Sequence, residues 1–357
     1  MKWLGNFPDP FLAEIAGQPD ALRRAAGALA DDRSTLQSLA ERTAGVVGVV
    51  FTGMGSSYDA CYPAVNELAA RGVLAVHVDT AELLHFRTNL LAPGTPLVVV
   101  SQSGRSAEVV RLAELVADRP DRPLVLSVTN GLDNVLGDRA DLRLDTRAGV
   151  ETGPSTMTFA ASIVQLAGVA GAMSGRPVGT SVEGITTAAE ETAAAIEAML
   201  DDATEIGERL AGAVSGRGVV AVLGRGPARA AAEMGALTLK ESGVMAESFA
   251  TAAFRHGPFE LAGPDLAAIV LATEPETRTL DLGLAGDLVA AGASVVVVGP
   301  RDQAPPGPTI VPFPPLHRLL APAASVVPIQ LLARRLATEL GRVPGAYTTA
   351  SKVTTRE

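Results

Sequence analysis

Cysteine is almost absent: Cys61 is the one thiol in 357 residues. No internal disulfide can form and no cysteine-based metal site can be built, so Cys61 is expected to pack against a helix. Histidine is nearly as scarce, and His77, His85 and His317 lack metal-ligand spacing, which leaves them structural. Aromatic residues make up only 4% of the chain, and no apolar run is long enough to span a bilayer. The opening Met1-Lys2-Trp3-Leu4-Gly5 lacks the basic and long apolar regions of a signal peptide, so the cytoplasm is the expected compartment. Positive charge is also short: a net charge of -10 argues against nucleic acid or an anionic membrane as the main partner. Any anionic ligand must then be held locally, by backbone amides and hydroxyls. What is abundant is Ala, Gly and Val in a 47% hydrophobic chain, enough at this length for two domains with cores of their own.

The hydrophobic pattern alternates. Strand-like runs at residues 46–52, 73–78, 97–101 and 124–128 are separated by helical stretches, which predicts βαβ units, a parallel sheet and helices on both of its faces. From about residue 155 to 214 the pattern turns to Ala-rich, acid-bearing helix without a strand candidate. A second alternation begins at Val219-Val220-Ala221-Val222-Leu223 and continues through residues 267–272 and 295–298. Phe51-Thr52-Gly53-Met54-Gly55 is echoed by Val222-Leu223-Gly224-Arg225-Gly226, and an internal duplication is the simplest account.

Ligands of open parallel sheets bind where the loops at the carboxyl ends of the strands converge. The apolar run at 97–100 empties into Ser101-Gln102-Ser103-Gly104-Arg105-Ser106, after which Val109, Leu112, Ala113 and Val116 recur at the spacing of one helix face. The hexapeptide is therefore a strand-to-helix turn. Free N–H groups, the positive end of a helix dipole and short hydroxyls gather there, which suits a phosphorylated polyol. A capped helix behind a solvated serine-rich loop is the competing reading. A second anion-competent turn, Gly53-Met54-Gly55-Ser56-Ser57-Tyr58, belongs to the same sheet. Gly53-x-Gly55 and the later Asp79 also mimic a dinucleotide fingerprint, but Tyr58 replaces its third glycine. In the second half the position matching Ser101 reads Ala272-Thr273-Glu274-Pro275-Glu276, acidic and hostile to phosphate, so only the first domain should hold the anion.

Three further residues could carry chemistry. Glu241 ends a helix as Leu239-Lys240-Glu241, and His256 follows in Phe254-Arg255-His256-Gly257-Pro258; a carboxylate and an imidazole can divide proton transfer. A Lys240–Glu241 salt bridge and a capped loop histidine are the bland alternatives. Lys352 sits in a Ser/Thr-rich tail, where it is either a solvated charge or, once desolvated, an amine able to attack a carbonyl.

Gly55-Ser56-Ser57, Ser101-Gln102-Ser103-Gly104, Leu239-Lys240-Glu241, His256-Gly257-Pro258 and Ser351-Lys352-Val353-Thr354 occur together and in order. The ordered set resembles the double-SIS phosphosugar proteins: the isomerase half of glutamine–fructose-6-phosphate aminotransferase and stand-alone amino-sugar-phosphate deaminases and deglycases. The resemblance runs from Glu14-Ile15-x-x-Gln18-Pro19 to the tail. It implies an α/β fold of two tandem flavodoxin-like, three-layer SIS domains with parallel sheets and helical connectors. The corresponding divisions are an N-terminal helical segment (1–40), a first domain (41–176), a helical connector (177–214), a second domain (215–341) and an active-site tail (342–357). By the same resemblance Gly55, Ser56, Ser57, Ser101, Gln102, Ser103 and Ser106 would bind the sugar phosphate, and Thr156 would line the pocket. Glu241 would move a proton between carbons 1 and 2, His256 would assist ring opening across a homodimer interface, and Lys352 would form or assist a Schiff base. No metal or organic cofactor is implied.

The chain departs from that pattern in places. Residue 2 is Lys2 rather than a nucleophilic cysteine, so glutamine-dependent synthesis is not expected. Thr238 and Arg105 replace a lysine and an acidic residue of the aminotransferase, and Thr158 stands where relatives often carry a basic residue. The expected activity is isomerisation of an amino-sugar 6-phosphate with loss of ammonia. The alternatives are a deglycase of an amine-linked sugar 6-phosphate, an aminotransferase-like protein without a glutaminase half, and a non-catalytic sugar-phosphate sensor.

Overall fold

A computed structural model of the chain describes residues 9–357; the opening pentapeptide and Lys2 lie outside the described residues. Two five-stranded parallel sheets carry the fold. The first holds β1 (Gly48–Thr52), β2 (Leu74–His77), β3 (Leu97–Ser101), β4 (Val125–Thr129) and β5 (Leu142–Asp145) in the order β2-β1-β3-β4-β5. The second holds β6 (Val219–Gly224), β7 (Ala246–Ala250), β8 (Leu266–Leu271), β9 (Ser294–Gly299) and β10 (Thr309–Pro312) in the order β7-β6-β8-β9-β10. The same flavodoxin-like order occurs twice, as a duplication requires. In each sheet the order reverses beside its first strand, opening a crevice between β1 and β3 and between β6 and β8.

The central strands are buried at every position: β3, β4 and β8, built mostly from Val, Leu, Ile and Ala, have both faces covered, the condition for a parallel sheet. The helix Ala107–Ala117 buries Val109, Leu112, Ala113 and Val116, the face read from spacing, onto Val50, Leu97, Val99 and Val125. Burial of one such Val or Leu side chain contributes ~1.5–3 kcal/mol. The seven strands anticipated from apolar runs are present within two residues at either end. Three more were not anticipated: β5, β7 and β10 are edge strands carrying Arg143, Glu247 and Thr309, so they lack the continuous apolar run of a central strand.

The chain forms two compact units, each stitched from separate segments. The unit of the first sheet comprises Asp20–Glu151, Thr156–Glu191 and Thr349–Glu357. The unit of the second comprises Thr192–Thr348 with Thr152–Ser155 and the described residues up to Pro19. No helix among the described residues is long and apolar enough to cross a membrane.

Candidate functional site

The Ser101–Ser106 loop closes the carboxyl end of β3 and is built with little freedom. The Ser101 hydroxyl accepts from Gly104 N–H at 3.1 Å, and the Ser103 hydroxyl accepts from Arg105 N–H at 3.2 Å. Gly104 takes φ 62°, and a Cβ there would lie 1.9 Å from Asn134 Oδ1, so only glycine fits. Asn134 in turn caps the helix Val135–Arg139 by accepting from Gly137 N–H at 2.9 Å, and donates to the Gly131 carbonyl. It locks the loop from behind. Ser106 occupies the N-cap of Ala107–Ala117 but makes no side-chain capping bond. Arg105 is exposed and donates to the Asp133 carbonyl at 3.0 Å.

Across the crevice, Gly53 packs against the Val100 carbonyl, which would stand 2.9 Å from any added Cβ. Gly55 (φ 51°) turns the chain so that Ser56 and Ser57 open the helical turn Ser56–Asp59. Tyr58 stacks on His77 with ring centroids 3.8 Å apart, and the His77 ring bonds the Tyr58 carbonyl at 3.0 Å. Burial holds the imidazole neutral, its pKa lowered to about 4. Asp79, the mimic of a ribose-binding acid, is spent as an N-cap, accepting from Glu82 N–H at 2.8 Å. Cys61 is buried as expected, its thiol over the Ser57 carbonyl and its pKa pushed up by burial.

A residue the sequence reading gave no role, Glu151, organises the third part. Its side chain has no exposure and accepts five bonds: from Thr156 N–H at 2.8 Å, the Thr156 hydroxyl at 3.0 Å, Thr158 N–H at 3.0 Å, the Thr158 hydroxyl at 2.5 Å, and the Lys352 ammonium at 2.6 Å. A carboxylate enclosed by so many donors is a ready partner for a cation. Lys352 is thus no solvated terminal charge: its side chain is only 19% exposed. Thr156 is wholly buried with its hydroxyl committed to Glu151, and Thr158, read as a departure from the family pattern, is a second hydroxyl on the same carboxylate. The tail reaches this place because the Thr354 carbonyl accepts from Ala107 N–H at 3.0 Å, at the start of the helix behind the serine loop. The signal was present in the acid five residues before Thr156, but nothing local marks a carboxylate as buried.

Gly55, Ser56, Ser57, Ser101, Gln102, Ser103, Ser106, Thr156 and Lys352 therefore share one unit, whereas Glu241 and His256 belong to the other. Glu241 ends the helix Arg229–Glu241 and accepts from the Tyr347 hydroxyl at 3.4 Å. Lys240 pairs with Glu247 at 3.6 Å, which removes the bland reading of a Lys240–Glu241 bridge. His256 is exposed, beyond the helical turn Thr251–Phe254, and β7 fills the stretch first read as loop.

A flavodoxin-like sheet repeated in tandem, with a hydroxyl-lined crevice in its first copy, is an architecture of tandem SIS-type domains. Residues 48–170 match the SIS domain family model. The glutamine–fructose-6-phosphate aminotransferase (isomerizing) of Pyrobaculum aerophilum is 28% identical over 364 residues, covering 100% of this chain and 59% of that protein. Among solved structures, the C-terminal domain of glucosamine-fructose-6-phosphate aminotransferase from Francisella tularensis superposes with TM-score 0.85 at 22% identity, over 95% of this chain and 98% of that one. The glucosamine-6-phosphate deaminase of Thermotoga maritima gives TM-score 0.67 at 17% identity, over 92% and 98%. The chain thus carries a match to the SIS domain over residues 48–170 and as a whole is similar in sequence and fold to the C-terminal, isomerase part of the aminotransferase. It spans about three fifths of the length of the curated relatives it matches.

Proposed function

We propose that the chain isomerises an amino-sugar 6-phosphate and releases ammonia from it. The observation that carries this reading is the docking of Thr354 on Ala107 N–H, which holds Lys352 in the unit of the serine loop. Phosphate oxygens would be bound by Ser101, Ser103 and Ser106 and by N–H groups of the helix start other than that of Ala107, with Gly55, Ser56, Ser57 and Gln102 binding along the sugar. Thr156 supports the pocket through Glu151.

Glu241 takes the proton from carbon 2 of the open-chain amino sugar and returns it to carbon 1, converting the C2 amine to an imine. Lys352 displaces ammonia from that carbon by forming its own imine, and water then releases the ketose phosphate and restores the amine. Ammonium Lys352 must shed a proton first, and Glu151 Oε2 is its immediate acceptor. His256, supplied by a second copy in a cytoplasmic homodimer, assists ring opening.

The test is ammonia release by purified protein from a panel of hexosamine 6-phosphates, with Glu241→Gln as control. Release that the variant lowers by ~10²-fold or more is the expected result. Interconversion of ketose and aldose phosphates without ammonia would keep the isomerase and remove the deaminase. Tight binding with no turnover in either protein would make the chain a sensor.

A further inference from the structure

The tail that carries Lys352 has no helix or strand of its own between Gly345 and its end, yet it is fixed at three points within one unit. Lys352 meets Glu151, the Thr354 carbonyl meets Ala107 N–H, and the Glu357 carboxylate meets both the His85 ring and the Arg111 guanidinium. The third point is different in kind. His85 lies on the helix Thr80–Phe86 and Arg111 on Ala107–Ala117, so one carboxylate ties the tail across two helices of the scaffold. Its partners are 43% and 56% exposed, and exposed ion pairs contribute little to global stability. Their effect is local.

We propose that Glu357, Arg111 and His85 form a clamp that positions Lys352 for reaction. This rests on the reading of Lys352 as the imine-forming amine. A lysine arm on an irregular segment samples many rotamers, and a displacement of one ångström is enough to remove it from attack distance. The Thr354–Ala107 bond sets the tail's height on the helix. It does not stop the segment pivoting about that single bond. Glu357, three residues further on, removes the pivot by engaging a side chain one helical turn beyond Ala107 and another on a separate helix. Neither Arg111 nor His85 touches the serine loop in the hydrogen bonds described, so the clamp acts through the tail and not on the phosphate.

The experiment compares wild type, Glu357→Ala, Arg111→Ala and the double variant in three measurements. These are the yield of borohydride-stable adduct on Lys352 with fructose 6-phosphate, the Kd for fructose 6-phosphate, and the rate of tryptic cleavage after Lys352 in the folded protein. The clamp predicts adduct yield reduced roughly tenfold, Kd within about twofold, cleavage roughly tenfold faster, and a double variant no worse than either single one. Adduct yield and cleavage both at wild-type values would overturn it, as would a loss of yield matched by an equal loss of affinity. Absence of adduct in wild type, with cleavage still accelerated in the variants, would overturn the imine reading of Lys352 and leave the clamp standing.

Discussion

The two crevices are built on the same strand order and are filled in opposite ways. After β3 the chain offers hydroxyls, glycine and a helix start, and its one nearby arginine, Arg105, is turned out to a backbone carbonyl. After β8 the charges are paired within the fold. Arg225, next to β6, is bound to the fully buried Asp281 at 2.9 Å, and Asp281 also accepts from Thr277 at 3.1 Å. Arg278 donates to the Ala272 carbonyl, and Arg318 stands 3.8 Å from the buried Glu274 and 3.5 Å from Glu276. An arriving phosphate would find the cations taken and two carboxylates in its way. Topology supplies the place for a ligand, and the residual charge and unused donors at that place decide whether one is accepted.

The largest effect comes from breaking that internal pairing. Asp281→Asn leaves the Arg225 guanidinium three-quarters buried without its counter-ion, and should cost about 2–3 kcal/mol of stability in calorimetry, below the figure for a fully buried pair because Arg225 keeps some contact with water. No sugar phosphate should bind to the second crevice as a result, since Glu274 remains. Saturation of the variant at two phosphates per chain would show that the pair alone closes the site. In the first crevice, Gly104→Ala drives a Cβ into Asn134 Oδ1 at a φ of 62° and should cost about 1–3 kcal/mol while abolishing phosphate-ester binding.

The contrast between the crevices was legible in the sequence, because Ser101-Gln102-Ser103 and Thr273-Glu274-Pro275-Glu276 follow recognisable apolar strands and differ in charge on their face. The duplicated sheets were legible for the same reason: β3, β4, β8 and β9 are runs that can only be buried. β5, β7 and β10 were not, since near the sheet margin a strand needs only one apolar face and a short polar run looks like loop. Nor were the partners of the chemistry visible. The Glu151–Lys352 pair joins residues 201 positions apart, the Glu357 carboxylate reaches back to His85 and Arg111, and Asn134 supports a loop thirty residues earlier. Spacing reports periodic contacts within an element and is silent on contacts that only tertiary structure makes.

Titration should separate the units by opposite slopes. In the first-sheet unit burial lowers His77 to about 4 from 6.5, so the folded state prefers it neutral; its contribution is whole above about 6.5 and is lost as pH falls toward about 4. In the second-sheet unit burial raises Glu274 from 4.5 to about 7, so the folded state prefers it protonated; its contribution is whole below about 4.5 and is lost as pH rises toward about 7. The two windows overlap and their slopes oppose, so relative to wild type the slope of thermal stability against pH should become less positive between about 4 and 6.5 in His77→Phe, which keeps the stack on Tyr58, and more positive between about 4.5 and 7 in Glu274→Gln. Unaltered profiles in both variants would mean that neither group changes its proton affinity on folding.

The smallest effect is the most direct comparison of the two loops. The Ser103 hydroxyl accepts from Arg105 N–H and keeps its own proton to donate to a phosphate oxygen, so Ser103→Ala should weaken phosphate-ester binding by about 1 kcal/mol, close to fivefold in Kd. Thr273 occupies the matching stretch after β8, and Thr273→Ala should leave the same Kd unchanged, because a carboxylate neighbour and paired arginines already exclude an anion there. Calorimetric titration of both variants with a ketose 6-phosphate reads the difference. A weakening in Thr273→Ala with none in Ser103→Ala would transfer the phosphate to the second crevice and reverse the assignment of the two sheets.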